Sequence, residues 1–144
     1  MRRRGRGDGP RGEQRCFLLS AVIIGIGIDL CDAERIRRMP KRERFLTRYF
    51  TQAERDYIAS RGVNGDDSAA ACFAAKEAFL KALGTGIGAA GLQEVSVLHA
   101  ESGAPYLSLT GKALQLCQEK GVQHMHLSIT HERGLAAAVV ILEA

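Results

Sequence analysis

Phe73-Ala74-Ala75-Lys76-Glu77-Ala78-Phe79-Leu80-Lys81-Ala82-Leu83-Gly84-Thr85-Gly86 reads as a mostly apolar helix, carrying three charges, that runs into a glycine turn. At about 100° per residue, Glu77 and Lys81 share one narrow stripe, Lys76 stands alone, and alanine, leucine and phenylalanine cover most of the remaining circumference. Such a helix packs on more than one side. Its charges are then paired, bound to a metal or turned toward a cleft, because an unpaired buried charge is expensive. Two readings stay open from the helix alone: an i,i+4 pair of Glu77 with Lys81, worth a few tenths of a kcal/mol, or a binding site.

The chain of 144 residues has room for one domain, with the apolar fraction of an ordinary mixture of helix and strand. Its net charge of +4 is unevenly placed. Residues 1–16 hold six arginines against Asp8 and Glu13, which accounts for the whole excess, and the remainder is neutral. A nucleic-acid-binding domain would carry its own basic excess, so none is expected. Cys16, Cys31, Cys72 and Cys117 are scattered without a Cys-x-x-Cys pair and read as reduced, cytoplasmic thiols. The apolar run Phe17–Ile24 behind the basic lead imitates a secretory signal. It has no small-residue cleavage box, passes through Gly25 and Gly27 into Asp29, and is too short to span a membrane. Residues 1–21 are expected to be an extension, and 22–144 the domain.

From Val22, Ile24, Ile26 and Ile28 alternate with Gly25, Gly27 and Asp29, the period of a strand with one bare face. Something can approach that face closely, and Asp29 stands beside the gap as either a ligand or a helix N-cap. A helix is expected from about Asp32 to Met39, before Pro40. Between Arg35 and Arg48 lie seven basic residues against Glu43 alone, which suits docking of an acidic macromolecule or a solvated face. Thr51-Gln52-Ala53-Glu54 has the form of a capping box for a helix ending near Gly62. Asn64 to Asp67 reads as a turn, with Asp67 or Ser68 capping the long central helix, and Gly84 as its stop.

A hairpin follows, with Val95 and Val97 on one strand and Tyr106 to Leu109 on the other. Then come a helix from Gly111 to Lys120 and two strands, His126 to His131 and Leu135 to Leu142, joined at Glu132-Arg133-Gly134. The whole is expected to be α+β: a single small domain with an antiparallel sheet and a long central helix. His124 and His126 share a strand face and His131 falls on the other, so spacing does not support a three-histidine zinc site. His131 alone, at a strand end, has a capping, core or ligand role open to it.

Three segments resemble the holo-acyl-carrier-protein synthases, the short class of 4′-phosphopantetheinyl transferases. They are Gly27-Ile28-Asp29 with Arg35-Ile36, then Phe73 to Gly86, and Ser128-Ile129-Thr130-His131 with Ala136 to Val140. The second is specific, whereas a lone Gly-x-Asp is weak. The resemblance implies transfer of the phosphopantetheine arm of coenzyme A to a serine of an apo acyl carrier protein in fatty acid biosynthesis. Asp29 and Glu77 would hold Mg²⁺, whose preference for hard oxygen ligands suits two carboxylates, waters and pyrophosphate. Lys81 would neutralise the leaving phosphates, and Glu77 or a water on the ion would take the serine proton.

By the same resemblance, Gly84, Thr85, Gly86 and His131 would contact the coenzyme. Arg35, Arg44 and Arg48 would meet the carrier protein, and the chain would form a homotrimer with shared active sites. The family arginine before the motif phenylalanine is replaced here by Cys72. The alternative is a non-catalytic module that holds an acidic protein through the Arg35–Arg48 patch.

Overall fold

The computed structural model describes residues 22–85, 88 and 91–144. The expected extension at 1–21 and Gly86 of the glycine turn lie outside the described residues. In chain order the elements are strand β1 (Ile23–Asp32), helices α1 (Ala33–Arg37), α2 (Arg42–Tyr49) and α3 (Gln52–Ser60), a 3-10 turn (Gly62–Asn64) and the central helix α4 (Gly65–Leu83). A second 3-10 turn (Leu92–Glu94) leads to β2 (Val95–His99), β3 (Pro105–Leu109), helix α5 (Gly111–Glu119), β4 (His124–Glu132) and β5 (Leu135–Glu143).

β1, β5 and β4 form one antiparallel sheet in that order, and β2 and β3 pair as a separate hairpin. The tight β4–β5 connection uses Arg133 at φ 51° and Gly134 at φ 79°, two successive positive φ values whose twist suits a two-residue hairpin.

α4 lies across β1 and β5, and the contact is made possible by what the strand lacks. A Cβ on Gly25 would stand 1.9 Å from the Ala82 carbonyl oxygen, and one on Gly27 would stand 1.8 Å from that of Ala78. The bare face read from the sequence is therefore filled by the chain's own helix. The isoleucines are left on the outer face, where Ile26, Ile28 and Leu30 are 59%, 64% and 60% exposed. Against the inner face, Ala136, Ala138, Val140 and Leu142 of β5 complete the layer under α4.

α4 starts at Gly65, earlier than expected, with Asn64 as N-cap and no side-chain cap. Asp66 and Asp67, read as a turn, lie instead in its first turn, where negative charge favours the helix N-terminus. Its end follows expectation. Gly84 is left-handed at φ 79°, the Gly84 N–H donates to the Lys81 carbonyl at 3.1 Å, and the Thr85 N–H donates to the Leu80 carbonyl at 3.2 Å.

The capping box of α3 is present. Thr51 Oγ1 accepts from the Glu54 N–H at 3.3 Å, and the Thr51 N–H donates to Glu54 Oε2 at 2.8 Å. The next helix cap after β1 is Asp32, which accepts from the Glu34 N–H at 2.9 Å, so Asp29 is free of that duty.

Candidate active site

Asp29 reaches the sheet face under α4 because β1 alternates, and it meets the helix at the stripe that carries Glu77 and Lys81. Lys81 Nζ donates to Asp29 Oδ1 at 2.8 Å and to the Ile28 carbonyl at 3.0 Å. Of the two readings left open by the helix, the Glu77–Lys81 pair is not formed: the lysine turns to the strand, where a carboxylate and a carbonyl both accept from it.

Glu77 is left over. Its Oε1 is buried and has no hydrogen-bond partner among the described residues. Burial, then the Asp29 charge, raises its proton affinity above the ordinary carboxylate range, with Lys81 opposing. A buried carboxylate oxygen with no partner, beside a second carboxylate, is an arrangement that a hard cation completes. No group of three or more His, Cys, Asp or Glu among the described residues could hold a metal. The donor set therefore fits an ion that keeps other oxygen ligands, as Mg²⁺ does. Lys81 holds on Asp29 the charge that such an ion would supply.

Two buried neighbours lie outside the cluster. Burial pushes the Cys31 thiol, two residues after Asp29, up to about 11, with Arg35 opposing. Lys76, alone on the helical wheel, is fully buried and donates to Glu54 Oε2 at 2.6 Å. The odd charge was visible in the sequence. Its partner, 22 residues away in α3, was not.

His131 does not join this cluster. β4 continues through it to Glu132, so it faces the α4 side of the sheet, away from His124 and His126. It lines a cavity of about 380 Å³ with Tyr57, Arg61, Ser68, Cys72 and His99, within the size range of small-molecule sites. Ser68 and Cys72 lie about 140–180° around α4 from Glu77. The two clusters thus occupy opposite flanks of one helix.

In the cavity, Tyr57 stacks on His99 with ring centroids 4.2 Å apart, and the Arg61 guanidinium lies 5.9 Å from the Tyr57 ring. Burial, then Arg61, lowers the proton affinity of His99. Burial, then Glu54, pushes the Cys72 thiol up to about 12. Arg61 is consequently the one permanent cation among the cavity's described lining residues. Sequence reasoning missed Tyr57, Arg61 and His99, which the C-terminal end of α3 and the end of β2 contribute without a shared motif.

The basic run from Arg35 to Arg48 divides in two. Glu34 pairs with Arg37 and Arg38, and Arg42 pairs with Asp66 at 2.7 Å and Glu43 at 2.8 Å. Arg35, Lys41, Arg44 and Arg48 have no acidic partner within 4.0 Å among the described residues. Arg44 and Arg48 flank an open, largely apolar groove lined by Met39, Phe45 and Tyr49. α2, which the charge run concealed, presents this surface.

Comparison with known proteins places the chain in a family. The profile of the 4′-phosphopantetheinyl transferase superfamily matches residues 25–140. The chain is 43% identical over 122 residues to the holo-[acyl-carrier-protein] synthase of Treponema denticola, covering 85% of this chain and 99% of that protein. It superposes on the crystal structure of holo-[acyl-carrier-protein] synthase from Neisseria meningitidis with a TM-score of 0.78 at 32% identity, covering 85% of this chain and all of that one. A Bacillus anthracis holo-(acyl-carrier-protein) synthase solved in complex with CoA (3′,5′-ADP) matches with a TM-score of 0.71 at 34% identity, over 85% of this chain and 97% of that one. Sequence profile, relatives and fold agree: the chain belongs to the 4′-phosphopantetheinyl transferase superfamily, among its holo-[acyl-carrier-protein] synthases.

Proposed function

We infer that the protein transfers the 4′-phosphopantetheine group of coenzyme A to a serine of an apo acyl carrier protein, releasing adenosine 3′,5′-bisphosphate. One observation carries the assignment of residues: the partnerless Glu77 Oε1 beside the Asp29–Lys81 pair. Asp29 and Glu77 would hold Mg²⁺, which supplies positive charge to the pyrophosphate when bound.

The serine Oγ–H attacks the β-phosphorus. A new Oγ–P bond forms, the bond from that phosphorus to the bridging oxygen breaks, and the leaving bisphosphate carries away the electron pair. Lys81 is 55% exposed and tethered only at its tip, so it can exchange Asp29 for a phosphate oxygen. Glu77, or a water on the ion, would receive the serine proton. Gly84 and Thr85 close the end of α4 next to Lys81 and would run along the coenzyme, with Gly86 following them.

The cavity of His131 suits the nucleotide end, with Arg61 supplying charge near Cys72. α4, some 10 Å across, separates that cavity from the Glu77 stripe of the same chain, and sites shared between neighbouring chains would bring the two together. The exposed Ile26, Ile28 and Leu30 face offers the apolar surface that a homotrimer would bury. The carrier protein would dock on Arg35, Arg44 and Arg48 around the groove of α2, charge against charge. A module that only docked an acidic partner would have no use for the buried, partnerless oxygen of Glu77.

Buried free Cys31, Cys72 and Cys117 suit the reducing cytoplasm, where this step of fatty acid biosynthesis would run. No helix among the described residues is long and apolar enough to cross a membrane. The test is substitution: Asp29→Asn and Glu77→Gln each abolish transfer while leaving the far-ultraviolet circular dichroism unchanged. Full activity in both would overturn the assignment.

A further inference from the structure

α4 rests on the sheet through glycine and alanine, with a Gly27 methyl excluded by the Ala78 carbonyl at 1.8 Å. That contact fixes how near the helix lies, with Val140 and Leu142 the projecting β5 side chains beneath it and Ala136 and Ala138 the small ones. A second restraint comes from the opposite side. Lys76 lies two residues before Ala78, hence about 200° around the helix. Its fully buried ammonium donates to Glu54 Oε2 at 2.6 Å and lies 5.2 Å from the Phe50 ring centroid.

Glu54 is itself immobilised. Its Oε2 also accepts from the Thr51 N–H at 2.8 Å, and its Oε1 accepts from the Val97 N–H at 2.8 Å. One carboxylate thereby ties α4 to the first turn of α3 and to the backbone of β2. Lys76 has no exposed surface, so it touches neither substrate nor ion. A buried ion pair adds little net stability over apolar groups of equal volume, and fixing register is its best-attested use.

We propose that Lys76, paired with Glu54, is a positioning residue that holds α4 in rotation and register, and so sets where Glu77 and Lys81 stand against Asp29. This rests on the reading of Asp29 and Glu77 as a cation site. A rotation of about 20° moves a helix Cα, 2.3 Å from the axis, by about 0.8 Å and a carboxylate tip further. Misplacement of about 1 Å is enough to cost about a hundredfold in rate.

The test is Lys76→Met in the full chain, with Mn²⁺ titrated into the complex with coenzyme A and free Mn²⁺ read by electron paramagnetic resonance. Transfer kinetics are measured in parallel, well below the melting temperature. Mn²⁺ affinity is expected to fall about tenfold or more, and kcat with it, while KM for the carrier protein holds. Lys76→Gln keeps a hydrogen-bond donor for Glu54 and should recover most of both losses. If Lys76→Met does not fold, Glu54→Gln, which keeps one acceptor oxygen, is read the same way. A folded variant that melts lower yet binds Mn²⁺ as the wild type does would reduce the pair to a structural element and overturn the proposal. Failure of the wild type itself to bind Mn²⁺ would refute the cation site, and this inference with it.

Discussion

Gly27→Ala tests the contact on which the site is built. An added methyl would stand 1.8 Å from the Ala78 carbonyl oxygen and 2.6 Å from the Ala82 nitrogen, both backbone atoms that no rotamer change can move. Ordinary contact begins at 3.4 Å, so strand and helix must part by about 1.6 Å or bend. Overpacking of this kind costs about 3 kcal/mol at the upper end of its usual range. For a domain of this size that lowers the melting temperature by about 10 °C.

The parting also separates Asp29, two residues along the strand, from Glu77, which neighbours Ala78. With reacting groups displaced by more than about 1 Å, turnover falls about a hundredfold even where the variant remains folded. Differential scanning calorimetry and transfer kinetics at 15–20 °C below the transition, a margin of about twice the expected shift, read the two effects separately. Gly27→Ala with wild-type melting and turnover would refute the claim that α4 rests on the β1 backbone.

Glu77→Gln should stabilise the protein while abolishing transfer. The native state holds the Glu77 proton more tightly than the unfolded chain does. Between the unfolded and native values the native state binds more protons, so stability falls as pH rises through that window. The variant therefore melts above the wild type at neutral pH, and the gap closes as pH drops through the native value toward 4.5; a gap that widens on acidification contradicts the assignment. Arg44→Ala with Arg48→Ala should raise KM for the carrier protein about tenfold and leave KM for coenzyme A unchanged, whereas Arg37→Ala, whose charge Glu34 already satisfies, should change neither. Ile28→Glu places a charge on a side chain that is 64% exposed in one chain, and size-exclusion chromatography with light scattering should show a trimer becoming a monomer with loss of transfer. An active monomeric wild type would dispose of the shared site.

Local chemistry explains what could be read in advance. The period of two in β1, the capping box at Thr51 and the glycine stop at Gly84 each state their structure within a few residues, and each is present. Asp29, Glu77 and Lys81 could be singled out because charge interrupts apolar periodicity at each. What failed depended on partners distant in sequence. Lys81 chose Asp29, 52 residues away, over the glutamate one turn before it, and the buried partner of Lys76 came from α3. The bare glycine face looked open because the helix that fills it lies some fifty residues downstream. α2 escaped notice because seven basic residues in and around it obscured the apolar positions Phe45, Leu46 and Tyr49.

The central claim, phosphopantetheine transfer that depends on a divalent ion at Asp29 and Glu77, is tested most directly by the intact mass of an apo acyl carrier protein after incubation with the wild-type protein and coenzyme A. The account predicts the mass gain of one phosphopantetheine group with Mg²⁺ present, and none when the ion is chelated or Glu77→Gln replaces the wild type. An unmodified carrier in the complete reaction, or equal modification with and without Mg²⁺, would contradict it.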